Sequence, residues 1–215
     1  MKSLRSIQEL IFPSRCIGCS ALGLNICSVC RRYWHPHIYR TWSNSSPHFP
    51  IYSAIPYSPI AGKVILAAKE SGLINADTLI TNALMHALRY CIKEQGVGFL
   101  VPIPSRKAVA RLRGRQFITD LSHTLSENSG LPTYENLRHI RKVRDQSSLD
   151  AKHRFLNING ALIAVKHLNG KAFLIDDLVT TGATISEAAR ALREKGIEVA
   201  AAVTACVAEP LVLEG

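Results

Sequence analysis

Apolar residues follow two different spacings along most of the chain, and these spacings predict alternating helices and strands. In residues 76–96 apolar side chains recur about once per helical turn until Gly96, which is typical of a helix with one buried stripe. Similar patterns predict helices over residues 117–130 and 183–196. Continuous apolar runs predict buried strands within residues 98–104, 171–175 and 197–208.

Helices placed between continuous apolar strands indicate an α/β fold, in which helices cover both faces of a parallel sheet. Ligands of such sheets bind at the carboxyl ends of the strands. We expect the main domain to span residues 60–215. Residues 1–35 are predicted to form a short helix and a cysteine module, and residues 36–59, rich in Pro, Ser and His, a connector in which residues 50–57 could form a strand.

The N-terminal segment resembles neither a signal peptide nor a membrane anchor. Its apolar residues Leu4, Ile7 and Leu10 are spaced as on a helix and separated by polar residues. No window of the chain approaches the roughly 18–20 uninterrupted apolar residues that a membrane span requires. We therefore expect a cytoplasmic protein without a transmembrane segment.

Four of the six cysteines form two Cys-x2-Cys turns that are separated by seven residues. Two such turns can supply the four thiolates of a tetrahedral zinc site, and a closed site of this kind is structural rather than catalytic. Disulfide bonds are the alternative, but the absence of a secretion signal favours zinc. The predicted zinc ligands are Cys16, Cys19, Cys27 and Cys30.

A pair of carboxylates and a turn rich in hydroxyl groups follow the predicted strand 171–175. Asp176 and Asp177 suit the vicinal hydroxyls of a ribose, because ionised carboxylates accept several hydrogen bonds. The turn suits a phosphate, since Gly182 allows a close approach and the next helix begins with free N–H groups. The alternative is a simple helix cap beside two surface charges. The turn consists of Thr180, Thr181, Gly182, Ala183 and Thr184.

The charge balance favours anionic partners. The chain has 26 Lys and Arg residues against 16 Asp and Glu residues, a formal net charge of +10. Two basic stretches, residues 106–115 and 138–144, could follow a nucleic-acid backbone, although few aromatic residues accompany them. A solvated basic surface is the alternative explanation.

The stretch FLIDDLVTTGAT at residues 173–184 resembles the phosphoribosyl pyrophosphate (PRPP) motif of type I phosphoribosyltransferases. Together with the cysteine module, AAKESG at 67–72, LVPIPSR at 100–106 and residues 145–162, it makes nearly the whole chain resemble the ComF family. These phosphoribosyltransferase-like proteins are associated with DNA uptake. The chain departs from the family at residues 113–117, which read Arg-Gly-Arg-Gln-Phe where relatives usually have Arg-Gly-Phe-Asn-Gln.

The resemblance implies a type I phosphoribosyltransferase-like parallel sheet flanked by helices, with a small N-terminal zinc-binding module. It implies that Asp176 and Asp177 hold the ribose hydroxyls of PRPP or ribose 5-phosphate, and that residues 180–184 hold the phosphate. Pyrophosphate would bind at Ser105, Arg106 and Lys107, whose alternative role is a solvated basic turn. Lys69 matches a family position of open role.

The implied function is Mg²⁺-dependent transfer of a phosphoribosyl group, for which the sequence identifies neither a general base nor the acceptor. The alternative is a non-catalytic accessory protein that senses PRPP or binds single-stranded DNA, beside a competence helicase and a recombination mediator. A third hypothesis makes the zinc module a protein docking surface.

Overall fold

The computed structural model describes residues 14–140 and 158–208, and its centre is a five-stranded sheet. The predicted N-terminal helix, much of the basic stretch 138–144 and most of the family segment 145–162 lie outside the described residues. The strands are β1 (Tyr39–Trp42), β2 (Pro50–Pro56), β3 (Phe99–Pro102), β4 (Leu137–His139), β5 (Leu162–Ala164), β6 (Lys171–Val179) and β7 (Glu198–Val207).

The sheet has the order β1-β2-β7-β6-β3, and its pairs are parallel except for the antiparallel edge pair β1-β2. The predicted α/β architecture with a mostly parallel sheet is therefore confirmed. Strands β4 and β5 form a separate antiparallel pair. Segment 36–59, expected as a connector, contributes both β1 and β2 to the main sheet.

Helices cover both faces of the sheet. The helices are α1 (Ser28–Arg31), α2 (Pro59–Ser71), α3 (Ile74–Gln95), α4 (Lys107–Arg113), α5 (Phe117–Ser129) and α6 (Ala183–Arg193). Helices α3, α5 and α6 confirm the helices that the apolar spacing predicts. No helix of the two described ranges is long and apolar enough to cross a membrane.

Alternating side chains along each strand build two separate cores, as the pleat of a strand requires. Leu100 and Phe173 point into a core that they share with α2, α3 and α5. Their neighbours Val101 and Leu174 point into a core on the opposite face, which α6 and the β4-β5 pair cover.

Helix α6 is fastened to β5 by a buried acidic side chain. Glu187 accepts a 2.8 Å hydrogen bond from the backbone N–H of Leu162, and Arg190 donates to the same carboxylate and to the Leu162 carbonyl. Burial acts to raise the pKa of Glu187, but the hydrogen bonds from Arg190 and Leu162 lower it below its ordinary value. This contact fixes the helix that follows the threonine-rich turn.

Candidate functional site

The acidic pair lies where the carboxyl ends of three parallel strands meet. Strand β6 is longer than the predicted strand 171–175 and continues to Val179. Its pairing with β3 ends at Ile175, whereas its pairing with β7 continues to Val179. Asp176 and Asp177 are therefore bound to a neighbouring strand on one side only, and they border the loop that leaves β3.

A backbone hydrogen bond joins the start of that loop to β6. The Ile103 N–H donates to the Ile175 carbonyl at 3.0 Å. The contact brings the start of the loop that carries the predicted pyrophosphate residues, 105–107, beside the residue that precedes Asp176. Two of the sequence-predicted groups thus meet at one edge of the sheet.

The two carboxylates have different surroundings. Asp177 is buried, with 5% of its side chain exposed, and its Oδ2 lies 2.6 Å from the Nζ atom of Lys69. Asp176 is partly accessible, and its Oδ1 accepts a 2.9 Å hydrogen bond from the Asp177 N–H. Lys69 comes from the last turn of α2, and only this three-dimensional contact connects it to the acidic pair.

Burial and the neighbouring charges change the pKa of Asp176. Although part of Asp176 reaches solvent, most of its surroundings are protein, and this burial raises its pKa well above the ordinary value. The neighbouring charge of Asp177 raises the pKa of Asp176 further, whereas the charge of Lys69 acts in the opposite direction. Asp176 therefore takes up a proton more readily than an isolated aspartate.

The turn after β6 exposes the beginning of a helix. Gly182 has φ of 71°, in the left-handed region that favours glycine, and no side chain caps the N-terminus of α6. Three partly exposed threonines surround this end, namely Thr180, Thr181 and Thr184. Free N–H groups, hydroxyls and the positive end of the helix dipole can together bind an anion.

A residue of the expected connector supports this turn. The Asn44 side-chain amide donates a 3.0 Å hydrogen bond to the Thr181 carbonyl, across 137 residues of sequence. The sequence gives no local signal for this contact, because Asn44 lies in an irregular segment rich in serine. Segment 36–59 therefore takes part in the candidate site as well as in the sheet.

The loop after β3 packs against strand β4. Ser105 and Arg106 are partly exposed, whereas the Lys107 side chain lies outside the described part of the chain. The His139 Nε2 atom lies 3.1 Å from the Pro104 carbonyl oxygen, and residues of the loop and of β4 together line a cavity of about 150 Å³. Burial, assisted by the Arg106 charge, lowers the pKa of His139, so its imidazole is neutral at physiological pH.

Two arginines of the divergent segment are bound by acidic residues of neighbouring helices. Arg113 pairs with Glu70 of α2, and Arg115 pairs with Asp77 of α3 at 2.7 Å and with Asp120 of α5 at 2.9 Å. Within the part of the chain that the structure describes, Arg113 and Arg115 therefore act as links between helices.

The acidic pair does not form a metal site from protein groups. A protein-built metal site needs several His, Cys, Asp or Glu side chains close together. Among the described residues, the cysteine cluster is the one such set with three or more members. Mg²⁺ requires several oxygen ligands in octahedral geometry, and here one of two carboxylates already faces a lysine. The residues at this edge do not fit a protein-built magnesium site.

The four predicted zinc ligands converge. Their sulfur atoms all lie within 4.8 Å of one another, and the sulfurs of Cys19 and Cys27 are 3.6 Å apart. A tetrahedral site with zinc–sulfur bonds of about 2.3 Å separates its sulfurs by roughly 3.8 Å. The cluster therefore has the donor set and spacing that Zn²⁺ requires.

Backbone amides and burial shift the pKa values of the thiols in this cluster. Burial opposes ionisation of Cys16, but backbone N–H groups, that of Cys27 foremost, lower its pKa to about 6. Burial raises the pKa of the Cys30 thiol to about 12. An ion would be needed to hold all four sulfurs as thiolates, since the surroundings alone favour ionisation at some positions and oppose it at others.

The cysteine module packs directly on the main domain. Cys16, Ile26 and Cys30 belong to the same core as α2 and α3. The Lys63 ammonium donates a 2.7 Å hydrogen bond to the Gly18 carbonyl. The cysteine module is thus continuous with the core to which Leu100 and Phe173 belong.

Comparison with known proteins supports the family resemblance. No protein-family model matches the chain. The chain is 29% identical over 104 residues to a protein named Competence protein F from Haemophilus influenzae. The matched stretch covers 46% of this chain and 45% of the Haemophilus protein, less than half of either. The chain is therefore ComF-like, as the cysteine module and the motif at residues 173–184 predicted.

Proposed function

We propose that the carboxyl edge of the sheet binds the ribose 5-phosphate group, either free or as part of PRPP. The observation that carries the proposal is the order of groups on one strand, turn and helix. The acidic pair lies in the last part of β6, and three residues after Asp177 the turn begins that leads into the uncapped end of α6. A ribose phosphate has a diol at one end and a phosphate at the other, which matches this order.

The acidic pair would bind the diol. Carboxylate oxygens accept hydrogen bonds from the two ribose hydroxyls, and the partly accessible Asp176 is the member that a ligand reaches first. Asp177 would supply the second carboxylate of the pair, and its backbone N–H, which donates to Asp176 Oδ1, would hold the neighbouring carboxylate in place.

The turn would bind the phosphate. Gly182 lets the backbone approach the phosphate oxygens, and the first N–H groups of α6 would donate to them, with the threonine hydroxyls as additional donors. Asn44 would keep the Thr181 peptide in place through its hydrogen bond to that carbonyl.

A diphosphate on C1 of the ribose would lie toward the loop after β3, where Arg106 is the described cationic side chain. This arrangement supports assignment of the domain to the type I phosphoribosyltransferase class. In a transfer reaction the bond between C1 and the diphosphate oxygen breaks, the diphosphate leaves with the electron pair, and a nitrogen nucleophile forms the new bond to C1. Arg106 would stabilise the charge on the leaving group.

Magnesium enters this proposal only as a companion of PRPP, since the described residues do not build a site for it. Bound to the diphosphate, Mg²⁺ would neutralise part of the leaving-group charge. We assign zinc, by contrast, to the four cysteines, where it would hold the module folded without touching the ligand.

The name of the Haemophilus relative supports a role in competence, and thereby in DNA uptake. The alternative function is a non-catalytic accessory protein that senses PRPP or binds single-stranded DNA in that process. The net charge of +10 favours DNA, but the ion pairs of Arg113 and Arg115 leave less free charge than the sequence suggests.

Calorimetric titration of the full-length, zinc-loaded protein tests the proposal. We expect binding of PRPP and ribose 5-phosphate, and much weaker binding of ribose or inorganic phosphate, since each of these fills half of the site. Release of diphosphate from PRPP in the presence of nucleobases or amines would support transfer. Failure of both PRPP and ribose 5-phosphate to bind would refute the proposed site.

The same protein preparation separates the DNA alternative. Binding of a labelled oligonucleotide that falls steeply with salt and is unchanged by saturating ribose 5-phosphate would indicate a separate DNA surface. Competition between the oligonucleotide and ribose 5-phosphate would indicate that the edge binds nucleic-acid phosphates instead.

A further inference from the structure

Lys69 is a component of the acidic edge that the sequence motif does not contain. It lies more than 100 positions before the acidic pair, yet its Nζ atom is 2.6 Å from Asp177 Oδ2. Its side chain is 25% exposed and that of Asp177 is 5% exposed. This is therefore a largely buried ion pair at the centre of the site that we propose for the ribose.

Two adjacent carboxylates in a buried site need a compensating charge. Without one, their repulsion and the loss of hydration favour protonation of at least one of them. Sites for phosphorylated ligands often obtain the compensation from a divalent metal ion. Here a protein ammonium already lies next to Asp177 Oδ2 and supplies this charge.

The packing of α2 fixes the position of Lys69. Helix α2 begins with Ser58 as its cap and contributes Ala61, Val64 and Ala68 to the core, so its last turn is anchored. The neighbouring Glu70 is bound by Arg113. The ammonium is thus delivered by a packed helix, and it does not depend on ligand binding to reach the acidic pair.

We infer that Lys69 is the resident cation of the acidic pair, so that ribose 5-phosphate binds at this edge without a divalent metal ion. This inference rests on the proposed function and adds its cation requirement. Any magnesium dependence of PRPP binding then arises at the diphosphate, which ribose 5-phosphate lacks. Ribose 5-phosphate is therefore the probe that isolates the acidic pair and the phosphate turn.

The test compares Lys69→Met, which keeps the length of the side chain and removes its charge, with Lys69→Arg, which keeps the charge. Lys93→Met removes an exposed lysine from α3 and serves as the matched control. Ribose 5-phosphate is titrated into each full-length, zinc-loaded protein with and without millimolar Mg²⁺. Metal-free buffer is prepared with a resin rather than a soluble chelator, so that the cysteine cluster keeps its zinc.

The wild-type protein and the Lys93→Met variant should bind ribose 5-phosphate equally well with and without Mg²⁺. Without Mg²⁺, Lys69→Arg, which keeps the charge, should lose less affinity than Lys69→Met. Without Mg²⁺, Lys69→Met should bind at least about tenfold more weakly, and added Mg²⁺ should restore most of the loss. If Lys69 served only to pack α2, the Lys69→Met variant would lose affinity for ribose 5-phosphate and added Mg²⁺ would not restore that affinity.

Three results would overturn the inference and leave the proposed function intact: wild-type binding that requires Mg²⁺, wild-type affinity in metal-free Lys69→Met, or a Lys69→Met defect that Mg²⁺ does not reduce. Absence of ribose 5-phosphate binding by the wild-type protein in both buffers would instead refute the proposed function itself.

Discussion

The backbone N–H of Ile103 donates a hydrogen bond of 3.0 Å to the carbonyl of Ile175. This bond extends the β3-β6 pairing by one position beyond the last paired residues, Pro102 and Ile175. It sets the loop after β3 beside the acidic pair that follows Ile175 on β6. Two residues that are 72 positions apart in sequence thereby form one edge, on which the proposed ribose and diphosphate contacts are neighbours.

Substitution of Gly182 by alanine should separate the turn's role in binding from its role in folding. The residue has φ of 71°, so the added Cβ costs about 1 kcal/mol in free energy of unfolding. The Cβ also covers the backbone where we propose that phosphate approaches, and its nearest neighbour would be Asn44 Nδ2 at 3.8 Å. Ribose 5-phosphate affinity, measured by calorimetry, should fall about tenfold or more.

Gly130→Ala is the matched control for this variant. Gly130 has φ of 74° and nothing within 4 Å of an added Cβ, so the backbone strain is the same. It ends α5, away from the turn, and should lose similar stability without losing affinity. Equal affinity in Gly182→Ala and Gly130→Ala would contradict phosphate binding at the turn.

The cysteine cluster should bind one zinc ion per chain. Cys27→Ser removes one of the four converging sulfurs, so the variant should contain less zinc than the wild-type protein. Because the cysteine module shares a core with α2 and α3, the thermal unfolding temperature of the variant should fall as well. Zinc is measured by mass spectrometry of the purified protein, and unfolding by circular dichroism.

Cys91→Ala provides the comparison for zinc. Cys91 is buried in α3, and burial raises the pKa of its thiol to about 12, so it has no tendency to act as a thiolate ligand. This variant should keep its full zinc content. A wild-type protein without zinc, or full zinc in Cys27→Ser, would show that the cluster is not the zinc site.

Glu187→Gln should destabilise the fold by about 2–4 kcal/mol at neutral pH, because the buried carboxylate holds Arg190 and the Leu162 N–H. The pKa of Glu187 is lowered from its ordinary value of 4.5. The wild-type advantage is therefore fully present above this value and disappears as the pH falls through the lowered folded-state pKa. Urea unfolding of both proteins at neutral and acidic pH measures this difference in free energy of unfolding.

Glu194→Gln removes the other carboxylate that contacts Arg190. Glu194 is 62% exposed, and its loss should change stability by less than about 0.5 kcal/mol. If Glu187→Gln and Glu194→Gln were equally mild, the buried contact between α6 and β5 would not be the one that holds the helix.

The sequence predicted those parts of the site that lie on one continuous strand, turn and helix. Asp176, Asp177 and Gly182 are close in sequence, and the alternation of helix and strand already places such a segment at the carboxyl end of a parallel strand. The cysteine cluster was predictable for the same reason, since each Cys-x2-Cys turn fixes two of its ligands locally.

The contacts made by Lys69 and Asn44 could not be predicted in this way. Lys69 reaches Asp177 only because α2 packs across the sheet, and Asn44 reaches Thr181 only because β1 and β2 join the sheet next to β7. Strand β6 also extends past Ile175, since pairing with β7 keeps two charged residues in extended conformation. Tertiary pairing decides these features, and periodicity within one segment does not encode them.

Titration of ribose 5-phosphate into wild-type protein and into Asp177→Asn tests the central claim most directly. Asparagine removes the charge that pairs with Lys69 but keeps the shape of the side chain. Because the Lys69 side chain is 25% exposed, water can solvate its ammonium, so the fold should survive. Asp120→Asn, an exposed aspartate that pairs with Arg115, is the control. The account predicts binding by wild type and Asp120→Asn, and loss of binding in folded Asp177→Asn. Wild-type affinity in Asp177→Asn would contradict a ribose phosphate site at this edge.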